Sequence, residues 1–216
     1  MQLKKEQIKL YLITDRTWLK EGETLVEKVE AALKAGATMV QFREKQLTGE
    51  DYIREAKKIQ AVCSAYHVPF IINDHVELAK EINADGVHVG LKDMAVEKAV
   101  RILGEQKLVG ASAHNVDEAV AAWKAGASYL GCGAVFASGT KTNTVPLAYE
   151  TLREICRAVP IPVAAIGGIT LENIHKLYGC GADGAAVISA VFSKNDPQAA
   201  VKLLLDAVPK LGEENV

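Results

Sequence analysis

Polar side chains alternate in the stretch Gln41-Phe42-Arg43-Glu44-Lys45. In an extended strand, alternation sends Gln41, Arg43 and Lys45 to one side and Phe42 and Glu44 to the other. Two cations on the inner face of a sheet need an anion, supplied by the protein or by a ligand. A ligand phosphate is one solution and a buried ion pair with Asp15 or Glu44 is the other; the pattern leaves both open. Two carboxylates, Asp74 and Asp93, each follow an apolar run. At the ends of adjacent strands they could converge on one cation, and two carboxylates with water and phosphate oxygens commonly hold Mg²⁺. Each also precedes a helical pattern, where it could simply cap the helix. Arg43, Lys45 and Lys141 tilt the balance toward a Mg²⁺–polyphosphate group, which needs such partners.

Other candidates follow the same logic. Ser138-Gly139-Thr140-Lys141 lies in the polar stretch 137–145, which could wrap a phosphate and act as a lid, or be a solvated loop. It is not a P-loop, since no G-x-x-x-x-G-K-[ST] is present. Gly167-Gly168 and Ser189 follow two later apolar runs, where backbone N–H groups can bind phosphate, although Gly-Gly can also be only a tight turn. His88 sits inside an apolar run and is expected to be packed or hydrogen-bonded, while His114 stands at a strand end and could reach the site. His67, His75 and His175 fall at helix or surface positions. The absence of a Ser-His-Asp arrangement and of H-E-x-x-H argues against acyl-transfer hydrolysis and zinc proteolysis.

These residues need a frame that brings them together. Short β-rich runs at 10–13, 39–42, 70–72, 86–89, 108–111, 129–132, 163–165 and 185–188 alternate with helical patterns. The helical patterns cover 24–34, 49–66, 75–82, 95–103, 116–124, 148–158, 171–178 and 197–205. A phrase beginning Ala35-Gly36-Ala37, Asn83-Ala84-Asp85, Ala125-Gly126-Ala127 and Cys180-Gly181-Ala182 recurs four times. It reads as a helix end, a cap able to take positive φ, and re-entry into a buried strand. Strict βα alternation with no unpaired edge predicts one (β/α)8 TIM barrel over 1–216. An open doubly wound sheet is the alternative, weakened because Thr14-Asp15-Arg16, not G-x-G-x-x-G, follows the first strand. In a barrel, the C-terminal strand ends carry the chemistry, and there the polar residues collect.

Bulk properties agree. The chain has 216 residues, 49% hydrophobic and 24% charged, enough for one core though short of the ~250 typical of such barrels. A net charge of -2 gives no nucleic-acid footprint, and the apolar runs are too short to span a bilayer. With no signal-peptide pattern, a cytoplasmic location is expected. Cys63, Cys132, Cys156 and Cys180 form no C-x-x-C pair and are expected to be reduced, mostly buried thiols.

The sequence resembles the thiamine-phosphate synthase family along nearly its whole length. The resemblance is carried by Tyr11-Leu12-Ile13-Thr14-Asp15, Val40-Gln41-Phe42-Arg43-Glu44-Lys45, Ile72-Asn73-Asp74, Asp85-Gly86-Val87-His88-Val89-Gly90, Ser112-Ala113-His114, Thr140-Lys141, Ala165-Ile166-Gly167-Gly168-Ile169 and Val187-Ile188-Ser189-Ala190. It implies that an aminopyrimidine methyl diphosphate joins a hydroxyethylthiazole phosphate, giving thiamine phosphate and pyrophosphate. It further implies that Gln41, Phe42, Arg43, Glu44, Lys45, Asn73, Ser112 and Lys141 bind the pyrimidine diphosphate. Asp74 and Asp93 would then hold Mg²⁺, and Ser138, Gly139, Thr140, Gly168, Ile188 and Ser189 the thiazole phosphate. Arg43, Lys45, Lys141 and Ser112 are the residues expected to act on the reacting groups. The implied partners are these small molecules, with neither nucleic acid nor membrane, and self-association left open.

The sequence departs from the family at Gly90-Leu91-Lys92-Asp93, where Gly-Gln-Glu-Asp is usual. Ala134 or Ala137 replaces a usual proline, and Ser138 a threonine. Three rivals remain: a thiazole tautomerase on the same barrel, a phosphate-sugar isomerase or epimerase, and a non-catalytic binder of thiamine intermediates. The tautomerase releases no diphosphate and so would not need Asp74, Asp93, Lys45 and Lys141 together.

Overall fold

A computed structural model describes residues 2–137 and 146–213 of the chain. Eight parallel strands close into a barrel in sequence order: β1 (Leu10–Ile13), β2 (Met39–Phe42), β3 (Phe70–Asn73), β4 (Gly86–Val89), β5 (Leu108–Ala113), β6 (Tyr129–Gly133), β7 (Val163–Ile166) and β8 (Gly184–Val187). Strand β1 pairs with both β2 and β8, so neither edge stays open. The doubly wound alternative is thereby excluded.

The predicted helices recur as α2 (Leu25–Lys34), α3 (Gly49–Ala65), α4 (Val76–Glu81), α5 (Val96–Leu103), α6 (Val116–Lys124), α7 (Tyr149–Ala158) and α9 (Pro197–Ala207). Their starts are chemically marked. Thr24 and Glu27 form a reciprocal capping box on α2, and Asn115 accepts from the Glu118 N–H of α6 at 2.8 Å.

Two short helices were not expected. Helix α1 (Lys5–Ile8) lies ahead of β1, and α8 (Ser189–Phe192) follows β8 directly. The helical pattern at 171–178 is instead a 3₁₀ turn, Ile174–Leu177. Its buried Ile174 and Leu177 stand three apart, the 3₁₀ period, and Lys176 and Tyr178 donate to carbonyls three residues back.

The recurrent phrase does cap helices, with Gly36, Gly126 and Gly181 at φ values of 105, 100 and 87°. In the second copy the left-handed residue is Asn83 (φ 54°), one position earlier than the other copies imply.

Alternation divides each strand between two cores. Leu10, Val40, Phe42, Val87, Leu130 and Cys132 face the helices. Ile8, Tyr11, Ile13, Met39, Ile71, Leu108 and Tyr129 fill the barrel interior. Burying these aliphatic and aromatic side chains on both faces of the sheet is the main favourable contribution to the fold. All four cysteines are free thiols, and burial pushes those of Cys63 and Cys132 up to about 12, which makes them inert packing groups.

Candidate active site

Above the apolar filling, the inward positions turn polar near the C-terminal strand ends. Gln41 of β2, Asn73 of β3, His88 of β4 and Ser112 of β5 line one cavity, closed on its other walls by Ile13, Gly131, Ile166, Gly167, Ala186 and Ile188. Its volume of about 140 Å³ is comparable to that of an engineered cavity that accepts a benzene ring. Arg43 and His114 reach its rim.

Arg43 is held from behind. The buried Thr14 hydroxyl accepts from the Arg43 N–H at 2.9 Å and donates to its carbonyl at 3.0 Å, pinning the backbone where β2 ends. Its guanidinium lies 3.8 Å from Asp15, too far for a hydrogen bond. The ion pair considered from sequence is therefore loose. Glu44 is paired elsewhere: its carboxylate accepts from Arg16 at 2.6 Å and from the Gln46 N–H at 2.6 Å. Burial pushes its carboxyl up, but Arg16 and the N–H donors of Gln46 and Leu47 outweigh this and hold it below the usual range.

Two of the expected binding residues are thus corrected. Phe42 is fully buried between sheet and helices against Tyr52 and Phe70, because strand alternation turns it outward. Glu44 braces the loop after β2 through Arg16 rather than facing the cavity. Lys45, expected on the same face as Arg43, is exposed beside a groove lined by Asp15, Trp18 and Arg43, because β2 stops at Phe42 and its alternation does not extend to position 45.

Asp74 and Asp93 do converge. Just beyond the ends of β3 and β4, their carboxyl groups come near enough to interact, with Asp74 next in sequence to the cavity residue Asn73. Lost hydration, then the contact with Asp93 and its negative charge, hold the Asp74 carboxyl above the ordinary range; Asn73 and His75 act in the opposite sense. Neither side chain caps a helix. The N-cap of α4 is His75 and that of α5 is Ala95, and neither helix has a side-chain cap bond. Asp93 instead accepts from the Gly90 N–H at 2.8 Å, and Asp74 takes a left-handed backbone (φ 64°) that few non-glycine residues adopt.

This carboxylate pair, in which Asp74 has a raised proton affinity, is a donor set that suits a hard divalent cation. Among the described residues no cluster of three or more His, Cys, Asp or Glu side chains could hold a metal, so water and ligand oxygens would complete the shell.

On the opposite rim, Gly167 and Gly168 permit a close crossing: a Cβ on Gly168 would meet the Ala137 carbonyl at 2.4 Å. Asn173 fixes this turn by donating to the Gly168 carbonyl at 2.8 Å. Ile188 lines the cavity and Ser189 opens α8, whose far end is held by the buried Lys28 amine donating to the Phe192 carbonyl at 3.1 Å. Ser138, Gly139, Thr140 and Lys141 lie outside the described residues.

Sequence reasoning missed Tyr11, Tyr129, Thr14 and Lys28. The first two read as ordinary core residues, and the signal for Tyr129 was Gly110, the glycine that faces it. His88 is packed and hydrogen-bonded as expected, and His114 is exposed with its Nδ1 3.1 Å from Glu118.

A sequence profile described as thiamine monophosphate synthase matches residues 10–191. A thiamine-phosphate synthase of Clostridium novyi is 49% identical over 91% of this chain and 96% of its own. One from Methanobrevibacter smithii is 41% identical over 92% and 94%. The solved structure of a thiamine phosphate pyrophosphorylase from Pyrococcus furiosus superposes with a TM-score of 0.85 at 37% identity, covering 96% of this chain and 98% of that one.

Proposed function

This chain belongs to the thiamine monophosphate synthase family, and from that premise and the site's geometry we propose that it joins an aminopyrimidine methyl diphosphate to a thiazole phosphate. The products are thiamine phosphate and pyrophosphate. The carrying observation is the pairing of Asp74 with Asp93 beyond the ends of β3 and β4, where Asp74 directly follows Asn73, which with Gln41 and Ser112 walls a ring-sized cavity.

The roles follow from the residue types. Gln41, Asn73 and Ser112 hold the pyrimidine by its polar edges, while Ile13, Ile166 and Ile188 press on its faces. Asp74 and Asp93 would hold Mg²⁺, which when bound supplies positive charge to the leaving diphosphate. Arg43 and Lys45, with Lys141 outside the described residues, neutralise the same oxygens as the C–O bond lengthens. The electron-rich ring carries the developing cation, so no protein nucleophile and no general base is required. The thiazole nitrogen then attacks, its phosphate held by Gly168, Ser189 and the 138–140 segment. The small molecules are the partners.

A thiazole tautomerase would have no use for a carboxylate pair as well as Arg43, because no diphosphate leaves. Incubation of the protein with both substrates and Mg²⁺, and with each substrate alone, tests the proposal. Thiamine phosphate only in the two-substrate reaction supports it; conversion of the thiazole phosphate alone would replace it with the tautomerase.

A further inference from the structure

One continuous run of hydrogen bonds links five side chains from five strands beneath and around the cavity. Gln41 Nε2 donates to Tyr11 Oη at 2.6 Å. Tyr11 Oη lies 2.7 Å from Tyr129 Oη, Tyr129 Oη 3.3 Å from His88 Nδ1, and His88 Nε2 3.1 Å from Ser112 Oγ. Gln41, Tyr11, His88 and Ser112 line the cavity, whereas Tyr129 lies behind that wall, fully buried. The strands make room for it. A Cβ on Gly110 would meet Tyr129 Cζ at 2.1 Å and His88 Nδ1 at 2.6 Å, and one on Gly131 would meet His88 Cε1 at 3.1 Å.

Counting protons gives the run a direction. Each phenol has one proton, and burial raises both phenol pKa values, so both stay neutral. With Gln41 donating to Tyr11, the Tyr11 proton points to Tyr129 and the Tyr129 proton to His88 Nδ1. His88 is then the Nε2–H tautomer and donates to Ser112. The Ser112 proton and the Gln41 carbonyl oxygen are left to face the ligand.

We propose that this run fixes the donor–acceptor polarity of the cavity, with Tyr129 as the positioning residue, so that the site selects an aminopyrimidine over the corresponding oxopyrimidine. The proposal rests on the function inferred above. An exocyclic amine donates to the Gln41 carbonyl while a ring nitrogen accepts from Ser112. An oxo group would face the Gln41 carbonyl instead. Turning the amide round to donate outward would require Tyr11 to donate back, and then Tyr129 and His88 to reverse as well. A buried run that must reverse as a unit resists that change. Removal of the Tyr129 hydroxyl breaks the run in the middle and lets Gln41 and Tyr11 turn independently.

The test compares wild type with Tyr129→Phe and Tyr11→Phe in two measurements. Nitrogen-15 NMR of the histidine rings should show His88 as a neutral Nε2–H tautomer in wild type and a mixture in Tyr129→Phe. Calorimetric titration with the aminopyrimidine alcohol and its 4-oxo analogue should show the amino:oxo affinity ratio falling at least about tenfold in Tyr129→Phe, with a similar fall in Tyr11→Phe. A protonated His88 Nδ1 in wild type, or an unchanged ratio in folded variants, overturns the proposal. Both measurements are made without turnover. Discrimination by a protein that forms no thiamine phosphate would therefore support the polarity and refute the function.

Discussion

Replacing Asp93 with asparagine separates the metal-site reading from a structural one, because the two carboxylates have few other duties. The new amide keeps an oxygen that can accept from the Gly90 N–H, now held at 2.8 Å, so the turn after β4 loses little. The side chain is exposed and caps no helix, which sets any direct loss at or below about 0.5–1.5 kcal/mol, the net worth of one hydrogen bond. Against this, the substitution removes a negative charge that opposes ionisation of Asp74. A carboxyl whose folded pKa is raised binds more protons in the fold than in the unfolded chain. Its contribution is therefore fully present below the unfolded value of about 3.9 and lost as pH rises through the raised one. At neutral pH, metal-free Asp93→Asn should match or exceed wild type in Tm, within about 3 °C. The metal response should differ sharply. With inorganic pyrophosphate present and Mg²⁺ at a hundredfold its Kd, linkage gives wild type about 2.7 kcal/mol, or roughly 5–10 °C in Tm. Asp93→Asn should show under about 1 °C at the same Mg²⁺, and turnover should fall about 10²–10³-fold. The assay is a thermal melt with and without Mg²⁺, paired with steady-state rates. A variant that melts well below wild type without metal, or that keeps the full Mg²⁺ shift, would refute this reasoning.

Other residues give independent checks. Glu44→Gln should lower stability by about 1–3 kcal/mol by weakening the Arg16 pair while leaving KM for the pyrimidine diphosphate within about twofold, as urea denaturation and kinetics would show. Because the Glu44 carboxyl is held below the usual range, its contribution is present above about pH 4.3 and lost on acidification; the variant should flatten that acid limb. Arg43→Lys should keep charge but lose the guanidinium fork, costing at least about tenfold in kcat/KM, with Arg43→Gln worse and both melting like wild type. Gly184→Ala places a Cβ 1.9 Å from the Ile8 carbonyl and should cost about 3 kcal/mol or more, visible as loss of soluble folded protein.

The barrel was legible because eight apolar runs alternate with amphipathic stretches and the capping phrase marks re-entry into strands. Strand ends were less so. Strand β5 runs on to Ala113, which makes Ser112 an inward strand residue rather than a loop residue. The alternation that correctly turned Gln41 inward also turned Phe42 out, but the likeness of the surrounding motif kept Phe42 among the expected ligands. Lys45 shows the converse limit, since period-two reasoning fails once the strand stops. The pairing of Asp74 with Asp93 could be foreseen from adjacent strands. Tyr129 could not, because a tyrosine in an apolar run looks like core until the register brings Gly110 beside it and His88 next to that. No helix among the described residues is long and apolar enough to cross a membrane, in keeping with the short apolar runs.

The most direct measurement follows pyrophosphate and thiamine phosphate together in one reaction of the purified protein with both substrates and Mg²⁺. Equal amounts of the two products at every time, and neither product after chelation of the metal, are the predicted result. Pyrophosphate released without matching thiamine phosphate would mean hydrolysis rather than transfer, and the absence of both from folded protein would contradict the proposed function outright.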